Sequence, residues 1–425
     1  MEMILEFLRD VLSQPALLIG IMSCVGLIAL KRPFHKIMTG TLKPILGYLM
    51  LAAGAGVIVS NLDPLGKMIE HGFHITGVVP NNEAIVAVAQ KVLGVETMSI
   101  LVVGLLMNLL IARFTKFKYV FLTGHHSLFM ACLMSAVLGT AGLSGIELIL
   151  VGGFLMGAWS AISPAIGQSY TSKVTDGDEI ALGHFGSLGY YLSAWVAKYV
   201  GKAEESTEDI EIPEKWGFLR DSTLSTALTM IVFYLIAAIA AGSEFVSTLS
   251  GSMSPYLFAV MSAMNFAVGV AIVYSGVRMI LGDLIPAFQG IATKIIPNAI
   301  PAVDCAVFFT YAPTAVVLGF ISSFIGGIIG MLILGAVGGV LIIPGLVPHF
   351  FCGATAGIYG NATGGRRGAA VGAFLNGLAI TFLPALALPV LGQLGFQNTT
   401  FGDADFAVMG LVLGNAFEWI GMAGI

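Results

Sequence analysis

The chain has 425 residues, of which 57% are apolar and only 10% charged, against roughly 25% charged in an ordinary soluble domain. Its mean hydropathy is +0.94, which excludes a soluble fold of this size, because such a fold needs far more polar surface. A net charge of −5 without any basic tract excludes nucleic-acid binding, and continuous apolar runs exclude a membrane barrel, whose strands alternate.

In chain order, apolar runs predict membrane spans near 15–30, 45–60, 97–112, 128–142, 146–162, 224–241, 256–281, 315–334, 335–351, 368–393 and 406–425. The fold class is thus an all-α polytopic membrane protein with about eleven spans of about 20 residues each. The N-terminus opens with Glu2, Glu6, Arg9 and Asp10 and has no small-residue cleavage site before Lys31, so it does not read as a cleaved signal. Many runs are broken by the 54 glycines and 16 prolines; most of this glycine reads as close helix packing.

One long hydrophilic connection, 171–222, divides the chain. The domain reading is a first transmembrane repeat at 1–170, this connecting segment, a second repeat at 223–393 and a C-terminal helix at 394–425. Within the connection, Tyr190–Tyr199 reads as an amphipathic arm lying at headgroup depth. A faint similarity between 27–47 and 277–297 points to internal duplication, the usual plan of carriers. Basic clusters at Lys31, Arg32, Lys36 and Lys43, at Arg113, Lys116 and Lys118, and at Arg366 and Arg367 place those loops in the cytoplasm. The N-terminus is then outside and the C-terminus inside.

Three stretches carry polar groups at membrane depth: 122–127 with His125, 299–314 with Asp304, and 353–365. A carboxylate in an apolar run costs at least ~2.5 kcal/mol on insertion scales and needs a partner or a wet cavity. Asp304, bracketed by Pro297, Pro301 and Pro313, therefore reads either as a ligand acceptor on a re-entrant hairpin or as a cap for freed backbone N–H groups. His125 and His184 offer a donor and an acceptor each, suited to sugar hydroxyls; His35, His71, His74 and His349 read as interfacial or loop residues. The four cysteines, Cys24, Cys132, Cys305 and Cys352, have no ligand spacing and read as packing residues. Gly364-Gly365-Arg366-Arg367 lacks the phosphate-loop pattern and reads as a cytoplasmic hairpin tip. No nucleotide, metal or other cofactor is expected.

In order along the chain stand Leu122-Thr123-Gly124-His125, Val174-Thr175-Asp176-Gly177, Gly183-His184, Gly201-Lys202 with Glu204-Glu205-Ser206, Gly276-Val277-Arg278-Met279, Asp304-Cys305-Ala306 with Ala312-Pro313, and Ile342-Ile343-Pro344-Gly345. Through these the chain resembles the membrane-embedded IIC component of the ascorbate-specific phosphotransferase system. The resemblance implies two inverted repeats with re-entrant hairpins, a core domain that moves elevator-fashion against a V-shaped scaffold, and a homodimer in membrane lipid. It implies L-ascorbate or a related sugar acid or polyol as substrate. Phosphoryl transfer belongs to a cytoplasmic IIB partner, fed indirectly by IIA, and not to this chain. Substrate contacts carry over to His125, His184 and Asp304, with Thr123 beside them. Ala55 stands where the family has serine, Phe129 and Phe185 where it has glutamine, and Asn82 near a threonine. An ion-coupled secondary transporter with Asp304 as coupling site, or a non-transporting membrane receptor, are the competing readings.

Overall fold

A computed structural model describes residues 11, 14–74, 77–80, 82–177, 179–210, 222–392 and 399–419. Lipid offers no hydrogen bonds to the backbone, so the apolar runs become helices. They are α1 (Pro15–Ala29), α2 (Phe34–Phe73), α3 (Asn82–Phe114), α4 (Gly124–Thr140), α5 (Gly145–Thr175), α6 (Ser187–Val200), α7 (Ser222–Ala241), α8 (Ser243–Ser250), α9 (Pro255–Lys294), α10 (Pro313–Ala336), α11 (Leu346–Gly392) and α12 (Ala404–Trp419). Among the described residues six helices are long and apolar enough to cross a membrane, or seven if α7 and α8, bent by 117° at Gly242, form one broken span. The chain is a multi-pass membrane protein.

The helices sort into two bodies. In the first, α2 and α9 lie antiparallel along most of their length, with α1 and α7 packed on them. The contact is made of glycine: a Cβ on Gly276 would stand 2.6 Å from the Gly47 carbonyl oxygen, and one on Gly54 2.7 Å from that of Gly269. Such spacing lets backbones touch, which is how helices associate where lipid removes the hydrophobic drive. The second body gathers α10, α11 and α6, with α3, α4, α5 and α12. Its helix α11 breaks at Gly364–Gly365, where Gly365 has φ 59 and ψ −155, a conformation open to glycine. Gly360 then lies against Gly368, so the two arms fold back as a hairpin. The Arg366 N–H donates to the Glu205 carbonyl (2.8 Å), tying the tip to the 201–209 segment.

Several expectations change. The run 335–351 is not one span: 337–345 is a loop whose Ile342 bridges to Val78, and α11 begins at Leu346. Gly335, Gly338 and Gly339 weaken the helix, and Val78 supplies the backbone partner. The stretch between Pro297 and Pro313 takes the form of a strand followed by a 3-10 turn, Cys305–Thr310. Tyr190 and Tyr191 are buried against Tyr359 instead of lying at headgroup depth; on α6 it is Trp195 and Tyr199 that are exposed. His349 is also buried, sharing a 2.9 Å hydrogen bond with Ser323. His35, His71 and His74 are exposed, the first two on α2 and the third just after it.

Candidate functional site: a ligand cavity at the end of a parallel ladder

Among the described residues five short strands interrupt the helices: β1 (Val79–Pro80), β2 (Tyr119–Phe121), β3 (Ala181–Leu182), β4 (Ile300–Val303) and β5 (Thr399–Thr400). Three of them form a parallel sheet in the order β2-β4-β3, with Phe121 opposite Ala302 and Leu182 opposite Val303. Two further bonds carry the ladder past the strand ends, Leu122 N–H to Ala302 O (2.9 Å) and Gly183 N–H to Val303 O (2.7 Å). Because the strands are parallel and in register, the chain leaves all three at one end. There stand His125, Asp304 and His184, which the sequence separates by about sixty and about one hundred and twenty positions. Only glycine fits at 183, since a Cβ there would strike the Ala302 backbone.

Asp304 divides its two oxygens. Oδ1 accepts the Ala306 N–H (3.2 Å) and caps the 3-10 turn, while Oδ2 faces His125 Nε2 at 3.4 Å. The capping reading of this carboxylate therefore holds on Oδ1, and Oδ2 is left beside His125 on the cavity wall. The other ring nitrogen of His125 meets the Tyr48 hydroxyl at 3.3 Å. Tyr48 belongs to α2, so this bond joins the two bodies.

The tautomers of two further imidazoles follow from their neighbours. The Phe185 N–H donates to His126 Nδ1 (3.4 Å), and the Gly186 N–H donates to His184 Nδ1 (3.1 Å). A backbone N–H can only donate, so each Nδ1 is unprotonated and each Nε2 carries the hydrogen. The His126 and His184 rings lie with centroids 3.8 Å apart. His184 lies in a non-helical segment outside the spanning helices; burial lowers its pKa, against the upward pull of Asp403 and Asp304. It is neutral at ordinary pH.

A second carboxylate completes the group. Asp403 accepts from Asn82 Nδ2 (2.6 Å) on one oxygen and from Cys352 Sγ (3.0 Å) on the other, while Asn82 Oδ1 accepts the Gly402 N–H (2.9 Å). The neighbouring Asp405 is turned away into structure, accepting from Ser187, the Leu188 N–H and Trp159. All these site groups open on a cavity of about 640 Å³, within the usual range of small-molecule sites. It lies between the bodies, with Tyr48, Leu51 and Ala55 of α2 on one wall and His125, His126, Phe129, His184, Asp304 and Asp403 on the other.

Of the residues singled out in the sequence, His125, His184, Asp304, Asn82 and Ala55 line this cavity. Thr123 and Phe185 do not. The Thr123 hydroxyl is buried without a hydrogen-bond partner among the described residues, and the Phe185 ring stacks on Phe121 at 4.6 Å, reaching the site through its N–H and an edge contact with the His126 ring at 6.1 Å. His126, Asp403, Cys352 and Tyr48 join the site unforeseen. The doubled histidine at 125–126 and the acid pair at 403 and 405 were the available signals. Cys352 is more than a packing residue, since it donates to Asp403.

Two groups, His126–His184–Asp403 and His184–Asp304–Cys305, hold their potential ligand atoms within 4.8 Å. A metal needs an unprotonated nitrogen pointing at it. Here both unprotonated Nδ1 atoms are taken by backbone N–H groups, so the imidazoles serve as hydrogen-bond donors and fit a metal poorly.

A cavity with imidazole donors and carboxylate acceptors between two helical bodies suits a small hydroxylated solute, and the comparison with known proteins agrees. Residues 10–405 match EIIC-GAT, the PTS system sugar-specific permease component. The chain belongs to the EIIC-GAT family. The match to this family takes in both bodies and every cavity residue named above. A curated relative is the ascorbate-specific PTS system EIIC component of Mycoplasma pneumoniae, 26% identical over 417 residues and covering 84% of this chain. The chain spans 62% of the length of that relative.

Proposed function

We propose that this EIIC-GAT chain is the IIC permease component that binds a small hydroxylated carbohydrate and carries it inward for phosphorylation by a cytoplasmic IIB protein. L-ascorbate, the substrate in the relative's name, a related sugar acid, or a polyol is the ligand. The observation that carries this reading is the meeting of His125, His184 and Asp304 at one end of the β2-β4-β3 ladder, in a cavity between two bodies. Ligand hydroxyls accept from the Nε2–H groups of His126 and His184 and donate to Asp304 Oδ2. The body bearing α10 and α11 is the moving core, and the α2–α9 body is the scaffold. Two copies pair through scaffolds in the bilayer. About eleven spans in two inverted repeats, within the divisions 1–170, 171–222, 223–393 and 394–425, and an outside N-terminus belong to the same reading.

Uptake into membrane vesicles loaded with the soluble phosphotransferase proteins tests it. Accumulation is expected to require phosphoenolpyruvate, to yield the phosphorylated solute and to survive a protonophore or removal of sodium. Accumulation driven by an ion gradient alone would establish the secondary-transporter reading instead, and absence of flux the receptor.

A further inference from the structure

The charge of the cavity bears on which ligand it takes. Among the described residues, the charged groups lining it are Asp63, Glu70, Asp304 and Asp403, with Lys67 as the one cation. Lys67 is held by Asp63 at 2.7 Å, on the exposed side. Asp304 has His125 beside it. Asp403 is 4% exposed and has no lysine or arginine partner among the described residues. His184 Nδ1 lies 3.8 Å from Asp403 Oδ1, but that nitrogen already accepts the Gly186 N–H and has no proton to give. A carboxylate offers about four lone-pair positions. Asn82 and Cys352 occupy one on each oxygen, which leaves two for a ligand. The remaining wall is apolar at Ala55 and Phe129, where amide or hydroxyl donors could have met an anion.

We infer that Asp403 is a second ligand-facing acceptor, and that with Asp304 it makes this site select an uncharged polyhydroxylated ligand over a sugar-acid anion. Ligand hydroxyls donate to the open positions on both carboxylates, which a buried acid without a cation needs. A carboxylate or enolate brought to the same place meets like charge beside two buried carboxylates, where screening is weak. Asn82 and Cys352 act through Asp403 by fixing its plane. The inference rests on the permease reading and narrows its substrate.

Competition binding to the purified full chain in detergent tests it with matched pairs: an aldonate against the alditol of the same carbon chain, and L-ascorbate against uncharged pentitols, hexitols and aldoses. At pH 7 the alditol is expected to bind at least tenfold tighter than its aldonate, and the best uncharged ligand at least tenfold tighter than ascorbate. Asp403→Asn is expected to shrink both ratios at least fivefold. If that variant does not fold, the matched pairs on the wild-type chain decide alone. Tighter binding of the anion in each pair, together with phosphoenolpyruvate-dependent uptake, overturns the inference and leaves the permease standing. Ratios unmoved in a folded Asp403→Asn chain remove Asp403 from the site. If no ligand of either charge binds and no uptake occurs, the permease reading fails as well.

Discussion

Asp304 joins the local fold to the cavity wall with a single side chain. One oxygen caps the 3-10 turn through Ala306, and the other faces His125 across the cavity mouth. Asp304→Asn keeps an amide oxygen for the cap and loses the charged acceptor. A hydrogen bond to a charged group is worth about 1.5–3 kcal/mol, so ligand affinity is expected to fall by roughly 10- to 150-fold while the unfolding midpoint in detergent stays near that of the wild type. Equilibrium binding and thermal unfolding of the purified variant check both, and unchanged affinity removes Asp304 from the site. His125, His184 and Asp304 were legible because polar groups inside apolar runs demand an explanation. Asp403 was not, because its partner Asn82 lies 321 positions away and no local pattern joins them. Phe185 misled in another way: the position matters, but through a backbone N–H that any residue supplies, and its ring belongs to the core.

Among the elements, long apolar runs were readable and short polar-backbone pairings were not. The runs at 146–162, 256–281 and 315–334 fall inside α5, α9 and α10. The strands β2, β3 and β4 are two to four residues each and as apolar as the helices around them, so hydropathy alone cannot mark them. The loop at 337–345 escaped for the same reason. Glycine, by contrast, foretold close packing, and the α2–α9 crossing bears it out with a specific consequence. Gly276→Ala drives a methyl into the Gly47 carbonyl and the Leu51 amide, both 2.6 Å from its Cβ position. Overpacking of this kind costs about 1–3 kcal/mol, so a clear drop in the unfolding midpoint is expected. Gly56, also on α2, has nothing within 4 Å of its Cβ position. Gly56→Ala is expected to be neutral or slightly stabilising, since alanine gains up to about 1 kcal/mol over glycine inside a helix. Equal midpoints for the two variants would contradict the glycine-mediated contact.

At the scale of the whole molecule, the cavity lies between the two bodies, whose facing sides share a buried apolar cluster, as where Phe266 meets Phe350 at 5.0 Å. The Tyr48–His125 bond is a further meeting, and Gly66 of α2 against Leu346 of α11 is another, with the Gly66 Cβ position 3.9 Å from Leu346 Cδ1. The sequence hinted at two halves, yet the bodies do not follow its midpoint, because α1 and α2 of the first half pack on α7 and α9 of the second. Sequence order cannot reveal such an exchange; only tertiary packing does. If the core carries its ligand by sliding along the α2–α9 scaffold, pinning the two together must stop transport without emptying the site. The direct measurement takes Gly66→Cys with Leu346→Cys, in a chain whose native thiols are removed as Cys24→Ala, Cys132→Ala, Cys305→Ala and Cys352→Ser, the serine keeping a donor for Asp403. Joined by a short cleavable thiol cross-linker, this chain is expected to bind ligand and lose phosphoenolpyruvate-dependent uptake, and to regain uptake on reduction. Full uptake with the bodies still cross-linked would contradict a moving core.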